Sequence, residues 1–251
     1  EVLDLARWLD DGRWYGMWFA DHYMPNTGNT KVNDGDSHEV WGLLPAIAVV
    51  TEQLRLGPLV APTSVHHPAL LANRAATIDH VSDGRFVLGL GAGWQINEHV
   101  AYGIELEAPK KRVDRFEEAI QIIRSLLNEP RTTFEGSSYT ITDAPCEPKP
   151  VQQQLPILVG TGGNRMLRIT ARHAEEWNTW GHPESAGERL NAMHTACERV
   201  GRDPATLHTS VQVAVHLSDD AAANAKALEG PLGVRTIAGG ADELIGILNQ
   251  Y

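Results

Sequence analysis

The chain has 251 residues, 42% of them hydrophobic and 21% charged, enough for one large α/β domain with a substantial core. A formal net charge of −11 argues against a nucleic-acid partner, because phosphate backbones are gripped by basic clusters, and no apolar run reaches the ~18 residues of a membrane span or takes the form of a signal peptide. Cys146 and Cys197 belong to no CxxC pair and the eleven histidines are scattered, so neither a disulfide scaffold nor a metal site is expected, and a reducing cytoplasm is the expected compartment.

In chain order, residues 2–10 place Val2, Leu3, Leu5, Ala6, Trp8 and Leu9 on one helical face. Residues 14–20 read as a strand closing in Asp21-His22, residues 40–52 as a helix and residues 54–60 as a strand. A helix over 68–81 starts with proline in its first turn, and Ser82-Asp83-Gly84 turns the chain into a strand over 85–91. A loop marked by glycine and proline follows. Val113, Phe116, Ile120, Ile123 and Leu127 then recur at three- and four-residue spacing, with Lys110-Lys111-Arg112 as the solvated start of that helix. Residues 129–154 break the alternation: Thr132-Thr133-Phe134 and Tyr139-Thr140-Ile141 flank a turn, and a proline-rich stretch leads on, an insertion on a single domain. A strand over 155–160, a helix over 164–174, a strand over 176–180, a helix over 186–200, a strand over 207–217 and a helix over 240–250 complete the series. Residues 218–239 are weakly patterned, and 229–240 read as a mobile loop or a junction.

Alternating strands and helices imply parallel βαβ units. Six strands are counted, so a (β/α)8 TIM barrel needs one more ahead of Glu1 and one beyond Tyr251. An open doubly wound sheet is the alternative. The barrel is favoured because no GxGxxG follows a first strand and because candidate functional residues end several different strands.

The most informative stretch is Phe86-Val87-Leu88-Gly89-Leu90-Gly91-Ala92-Gly93-Trp94, an apolar strand passing into alternating glycines. Leu155-Pro156-Ile157-Leu158-Val159-Gly160-Thr161-Gly162-Gly163 repeats the plan ahead of a helix. Glycines at a buried strand's C-terminal end allow a flat or anionic ligand to approach the backbone.

Trp18-Phe19-Ala20-Asp21-His22-Tyr23-Met24-Pro25, Leu54-Arg55-Leu56-Gly57-Pro58-Leu59-Val60, His67-Pro68-Ala69-Leu70-Leu71-Ala72, Gly89-Leu90-Gly91-Ala92-Gly93-Trp94 and Ala144-Pro145-Cys146-Glu147-Pro148-Lys149-Pro150 stand in the order and spacing of a known family. The chain resembles, over residues 1 to about 215, the luciferase-like monooxygenase superfamily, in particular its branch of F420-dependent (deazaflavin) oxidoreductases. The resemblance implies a (β/α)8 barrel that binds F420, or alternatively FMN, at the C-terminal strand ends. It implies that Asp21 and His22 sit at a strand tip near the redox ring, with His22 handling a proton and Asp21 orienting it or capping a turn. It places Leu59-Val60 at a non-prolyl cis peptide, continuing into Ala61, in a bulge against the ring. Gly91, Gly93 and Asn97 match a loop beside the ribityl chain, and Gly162, Gly163 and Asn164 a loop and helix N-terminus that hold its phosphate; Gly160 is a further cofactor-binding candidate. Where sugar-phosphate dehydrogenases of the family carry a glutamate acid, this chain has Trp94, so no second catalytic carboxylate carries over and a sugar-phosphate substrate is not expected.

Each site residue also has a plainer reading. His22 could be a buried structural histidine, and Gly162-Gly163 a simple turn, although a helix N-terminus behind it suits a phosphate. Arg165 is a phosphate candidate and Arg168 a surface residue. Trp94 and Trp180, near strand ends, could line an apolar wall against a flat ring; Trp177 reads as core. His67 and His80 read as structural, His66 as a pocket lining, and Glu117 and Glu118 as a solvated helix face. The expected activity is hydride exchange between F420 and a small-molecule substrate. The alternatives are an FMN-dependent monooxygenase using reduced flavin and oxygen, or a non-catalytic barrel that binds a flavin or other ligand; a flavin or F420 reductase is an expected partner. A homodimer is expected by analogy with the family.

Overall fold

The computed structural model describes residues 1–230 and 232–251; Pro231, within the stretch read as a loop or junction, lies outside the described residues. The chain packs as two compact units, Glu1–Gly160 and Thr161–Tyr251. No helix among the described residues is long and apolar enough to cross a membrane.

The first unit alternates helix and parallel strand. It opens with α1 (Val2–Leu9) and β1 (Gly16–Phe19), followed by α2 (Val40–Val50), β2 (Arg55–Pro58) and β3 (Ala61–Pro62). Next come α3 (Pro68–Val81), β4 (Leu88–Gly91), α4 (Ile96–Ala101) and α5 (Pro109–Asn128). The unit closes with β5 (Thr132–Glu135), β6 (Thr140–Ala144) and β7 (Ile157–Gly160). β1 pairs in parallel with β2, β3 with β4, and β4 with β7, whereas β5 and β6 form the expected antiparallel hairpin. β4 and β7 carry no polar side chain because both faces are covered: Leu88, Leu90, Ile157 and Val159 are fully buried, as are Leu56 on β2 and Phe86 just ahead of β4. The three- and four-residue periodicity of α5 buries Phe116, Ile120 and Ile123, and α5 packs on α3.

Three readings in this unit need correction. The loop after β4 contains α4, whose Asn97, Glu98 and His99 are all buried. A helix that buries polar residues through tertiary hydrogen bonds has no apolar stripe, so periodicity cannot reveal it. Glu118 is not a solvated helix face: its carboxylate accepts hydrogen bonds from the Ser137, Ser138 and Tyr139 amides and the Ser137 hydroxyl, closing the β5–β6 turn. Arg112, read as part of a solvated helix start, donates to the Gly93 carbonyl at 2.6 Å. By contrast, His67 caps α3 and His80 bonds the Lys149 carbonyl, both structural as expected.

The second unit runs α6 (Asn164–His173), β8 (Glu176–Trp180), α7 (Pro183–Arg199), β9 (His208–Gln212), β10 (Ala214–Leu217), α8 (Ala221–Glu229), β11 (Thr236–Gly239) and α9 (Ala241–Leu248). β8 pairs in parallel with β9, and β10 with β11. Leu167, Ala171, Trp177, Met193, Ala196, Cys197 and Leu207 form its core. The single strand expected over 207–217 is two strands with different partners. The region read as weakly patterned holds α8 and a further parallel strand, β11. That strand is four residues long, and Thr236-Ile237-Ala238-Gly239 has too few apolar side chains to announce itself before it is paired with β10.

Candidate active site

In the first unit the strand ends are shaped around Val60. The Leu59-Val60 peptide is cis, between β2 and β3. A Cβ on Gly91 would lie 2.6 Å from Val60 Cγ2, one on Gly160 3.1 Å from Val60 Cγ1, and one on Gly89 1.9 Å from the Pro58 carbonyl oxygen. Glycines read as openings for a ligand therefore also accommodate the bulge itself. Gly93 has φ +90°, and a Cβ there would meet Ser64 Oγ at 1.9 Å, so only glycine fits. Ala61 is fully buried in β3, paired with Leu90.

Asp21 and His22 follow β1 and have different partners. Asp21, 1% exposed, accepts at Oδ2 from Trp41 Nε1 (2.9 Å) and His66 Nε2 (2.7 Å). Arg74 Nη1 stands 3.3 Å from His66 Nδ1, and since a guanidinium can only donate, His66 carries its proton on Nε2. Asp21 is thus a buried carboxylate held by two donors and does not orient His22, contrary to the expected pairing: consecutive residues leaving a strand point to opposite sides. The carboxylate that orients His22 is Glu98 on α4, 2% exposed, which accepts from His22 Nδ1 at 2.9 Å and from the Tyr23 amide at 3.0 Å. Glu98 lies 76 residues from His22, and nothing in its local sequence marks it. His22 Nε2 has no partner among the described residues, and the ring is partly exposed, its edge set against Trp94 at 5.6 Å and 89°.

α4 also locks the segment after His22. Gln95 Nε2 donates to the Met24 carbonyl (2.8 Å) and Asn97 Nδ2 to the Pro25 carbonyl (3.0 Å). His99 donates to the Gln95 carbonyl and accepts from Ser64 Oγ. Burial, reinforced by Asp21 and Glu39, pushes the Tyr23 phenol up to about 12, so it stays protonated beside His22. Asn97 Oδ1 and Thr63 Oγ1 are buried without a partner; the Thr63 amide donates to the Gly91 carbonyl at the β4 tip. A buried polar atom just after β3 and another on α4, each without a protein partner, suit a polar ligand.

In the second unit, Gly163 is the N-cap of α6 and makes no side-chain cap bond, so first-turn amides lack that partner; Gly162, Gly163 and Asn164 are exposed, and Arg165 is in the first turn. Trp180 ends β8 with the guanidiniums of Arg189 and Arg235 each 4.4 Å from its ring centroid. Trp177 is core, its Nε1 donating to the Thr161 carbonyl.

The family model described as luciferase-like monooxygenase matches residues 1–243. An F420-dependent glucose-6-phosphate dehydrogenase of Kineococcus radiotolerans is 29% identical over 226 residues, covering 88% of this chain. This chain spans 65% of that relative's length. An F420-dependent hydroxymycolic acid dehydrogenase of Mycobacterium tuberculosis is 28% identical over 208 residues, 82% of this chain and 56% of the relative. Among solved structures, an F420-dependent secondary alcohol dehydrogenase in complex with an F420-acetone adduct superposes with a TM-score of 0.84 at 19% identity, over 99% of this chain and 84% of that one. The fold is the α/β TIM-barrel type of these enzymes, as the alternation of strands and helices led us to expect. The chain belongs to the luciferase-like monooxygenase family.

Proposed function

We propose that the chain is an F420-dependent oxidoreductase that exchanges hydride with a small organic substrate and uses His22 for the accompanying proton. The observation that carries this reading is the Glu98–His22 pair. Glu98 holds the Nδ1 proton, so neutral His22 presents a lone pair at Nε2 and protonated His22 an acidic N–H at the same atom. One ring nitrogen is fixed by a buried carboxylate and the other is open, as a group that takes and returns a proton requires.

Bound F420 supplies the ring carbon that carries the hydride, and the chain supplies orientation, water exclusion and the proton. In the first unit, Leu59, Val60, Ala61, Gly91, Gly93 and Asn97, with Gly160 and Trp94, would hold the ring and its side chain. Asn97 Oδ1 and Thr63 Oγ1 are buried polar atoms without a protein partner, which such a ligand could satisfy if the loops around them part on binding. Asp21 acts as a fixed buried anion beside His22 rather than as its orienter. In the second unit, the first-turn amides of α6, with Gly162, Gly163, Asn164 and Arg165, would hold a phosphate. The names of the two dehydrogenase relatives support F420 over FMN. Following the family resemblance, we take the working form to be a homodimer.

Seven tryptophans serve as reporters of binding. F420 is expected to quench their fluorescence at lower concentration than FMN, and His22→Ala to lower F420-linked turnover at least about tenfold, ~1.4 kcal/mol of barrier, with cofactor affinity nearly unchanged. Tighter FMN binding with oxygen uptake would replace this reading with an FMN monooxygenase.

A further inference from the structure

The second unit holds two cations that the proposed chemistry leaves unused. Arg189, on α7, and Arg235, in the turn before β11, each set the guanidinium carbon 4.4 Å from the centroid of the Trp180 ring. Sharing one ring, the two charges stand within about one Debye length (~8–10 Å) of each other. The chain carries 32 acidic residues against 21 lysines and arginines, yet no carboxylate among the described residues pairs with either guanidinium.

Their hydrogen-bonding capacity is largely unspent. Arg189 makes a single long bond, Nη1 to Thr179 Oγ1 at 3.4 Å, and Arg235 Nε is buried with no acceptor. The turn that carries Arg235 is nonetheless anchored: His182 Nε2 reaches the Gly233 carbonyl (3.4 Å) and Thr236 Oγ1 donates to the Leu232 carbonyl (2.8 Å). Arg189 Nη1 also lies 3.0 Å from where a Gly162 Cβ would stand, so nothing but glycine separates it from the α6 loop. Like charges held together by an anchored scaffold, with no carboxylate to neutralise them, suit an anion, and the planar guanidinium fork matches the oxygens of a phosphate or carboxylate.

We propose that Arg189 and Arg235, presented on Trp180, form an oxyanion-binding site that takes the phosphate or carboxylate group of a small anionic molecule. The site stands independently of the F420 reading, because it is built from this unit's own residues.

The test is titration of the whole, ligand-free chain with inorganic phosphate at low ionic strength, followed by calorimetry and by thermal unfolding. Phosphate is expected to raise the melting temperature, and Arg235→Gln and Arg189→Gln each to weaken phosphate at least about tenfold. The ligand-free melting temperature of Arg235→Gln should stay the same or rise, because a like-charge contact is relieved. Arg235→Lys, which keeps the charge but loses the fork, serves if the glutamine variant does not fold, and is expected to weaken phosphate severalfold. Phosphate affinity unchanged in the Arg235 variants overturns the proposal, including the case in which only Arg189→Gln weakens it, which would assign the anion to the α6 terminus. A lower ligand-free melting temperature with an intact phosphate response also overturns it, since that describes a purely structural stack. Two sources of the oxyanion are then separated with F420 itself: parallel loss of F420 affinity assigns the group to the cofactor, and unchanged F420 affinity assigns it to the substrate.

Discussion

His22 and Asp21 are neighbours in sequence with opposite assignments in space, and substitution separates them. Glu98→Gln keeps the size of the side chain but removes the charge that supports a protonated imidazole. Turnover is expected to fall at least about tenfold with little change in melting temperature, as steady-state kinetics beside thermal unfolding would show. Asp21→Asn does the reverse in part: Trp41 and His66 both donate to Oδ2, so the amide oxygen can still accept from both, but two buried bonds lose their charge assistance. A stability loss of about 2–4 kcal/mol is expected in denaturant unfolding. Equal stability losses in both variants would remove the distinction between a proton-handling pair and a structural one.

Among the elements, β4 leaves little room for change. Gly89→Ala places a methyl 1.9 Å from the Pro58 carbonyl oxygen, a backbone atom that cannot swing aside. A destabilisation of about 2 kcal/mol or more is expected in thermal unfolding. The β5–β6 hairpin depends on a contact made across elements. Glu118→Ala strips four donors of their acceptor, and because the turn is partly solvated the expected loss is about 1–2 kcal/mol. Burial pushes the Glu118 carboxyl up, and the hydrogen bonds from Ser137, Ser138 and Tyr139 outweigh it, so the group titrates below its ordinary value. Its contribution is present above the ordinary glutamate range and is lost as pH falls through the lowered value.

For the whole molecule the titration to watch is alkaline. The Tyr23 phenol is raised from 10.0 to about 12 by burial first and by Asp21 and Glu39 after it. Between those values the unfolded chain has released a proton that the folded chain retains, so stability falls as pH rises through that window. Tyr139 is raised by burial in the same direction and adds to the slope. Denaturant midpoints measured from pH 8 to 11 should decline above about 10, and Tyr23→Phe should flatten the decline. A decline of the same slope in the variant would assign it to other groups.

Patterns that repeat along the chain were legible without any structure. Helix α3 has the bounds its proline and turn signals predict, and α5 the face its periodicity lays out, because local spacing and local burial coincide there. The Leu59-Val60 cis peptide was legible by resemblance alone. What remained hidden was everything decided by pairing at a distance. α4 buries polar residues, so it carries no apolar stripe; β11 needs β10 beside it to be a strand; Glu98 acquires its meaning only when folding brings it against His22. Amino-acid order determines which segments bury a face. Which carboxylate meets which histidine, and which arginines are left without an acid, is settled by tertiary packing, because those interactions act through a few ångströms of space and not along the chain.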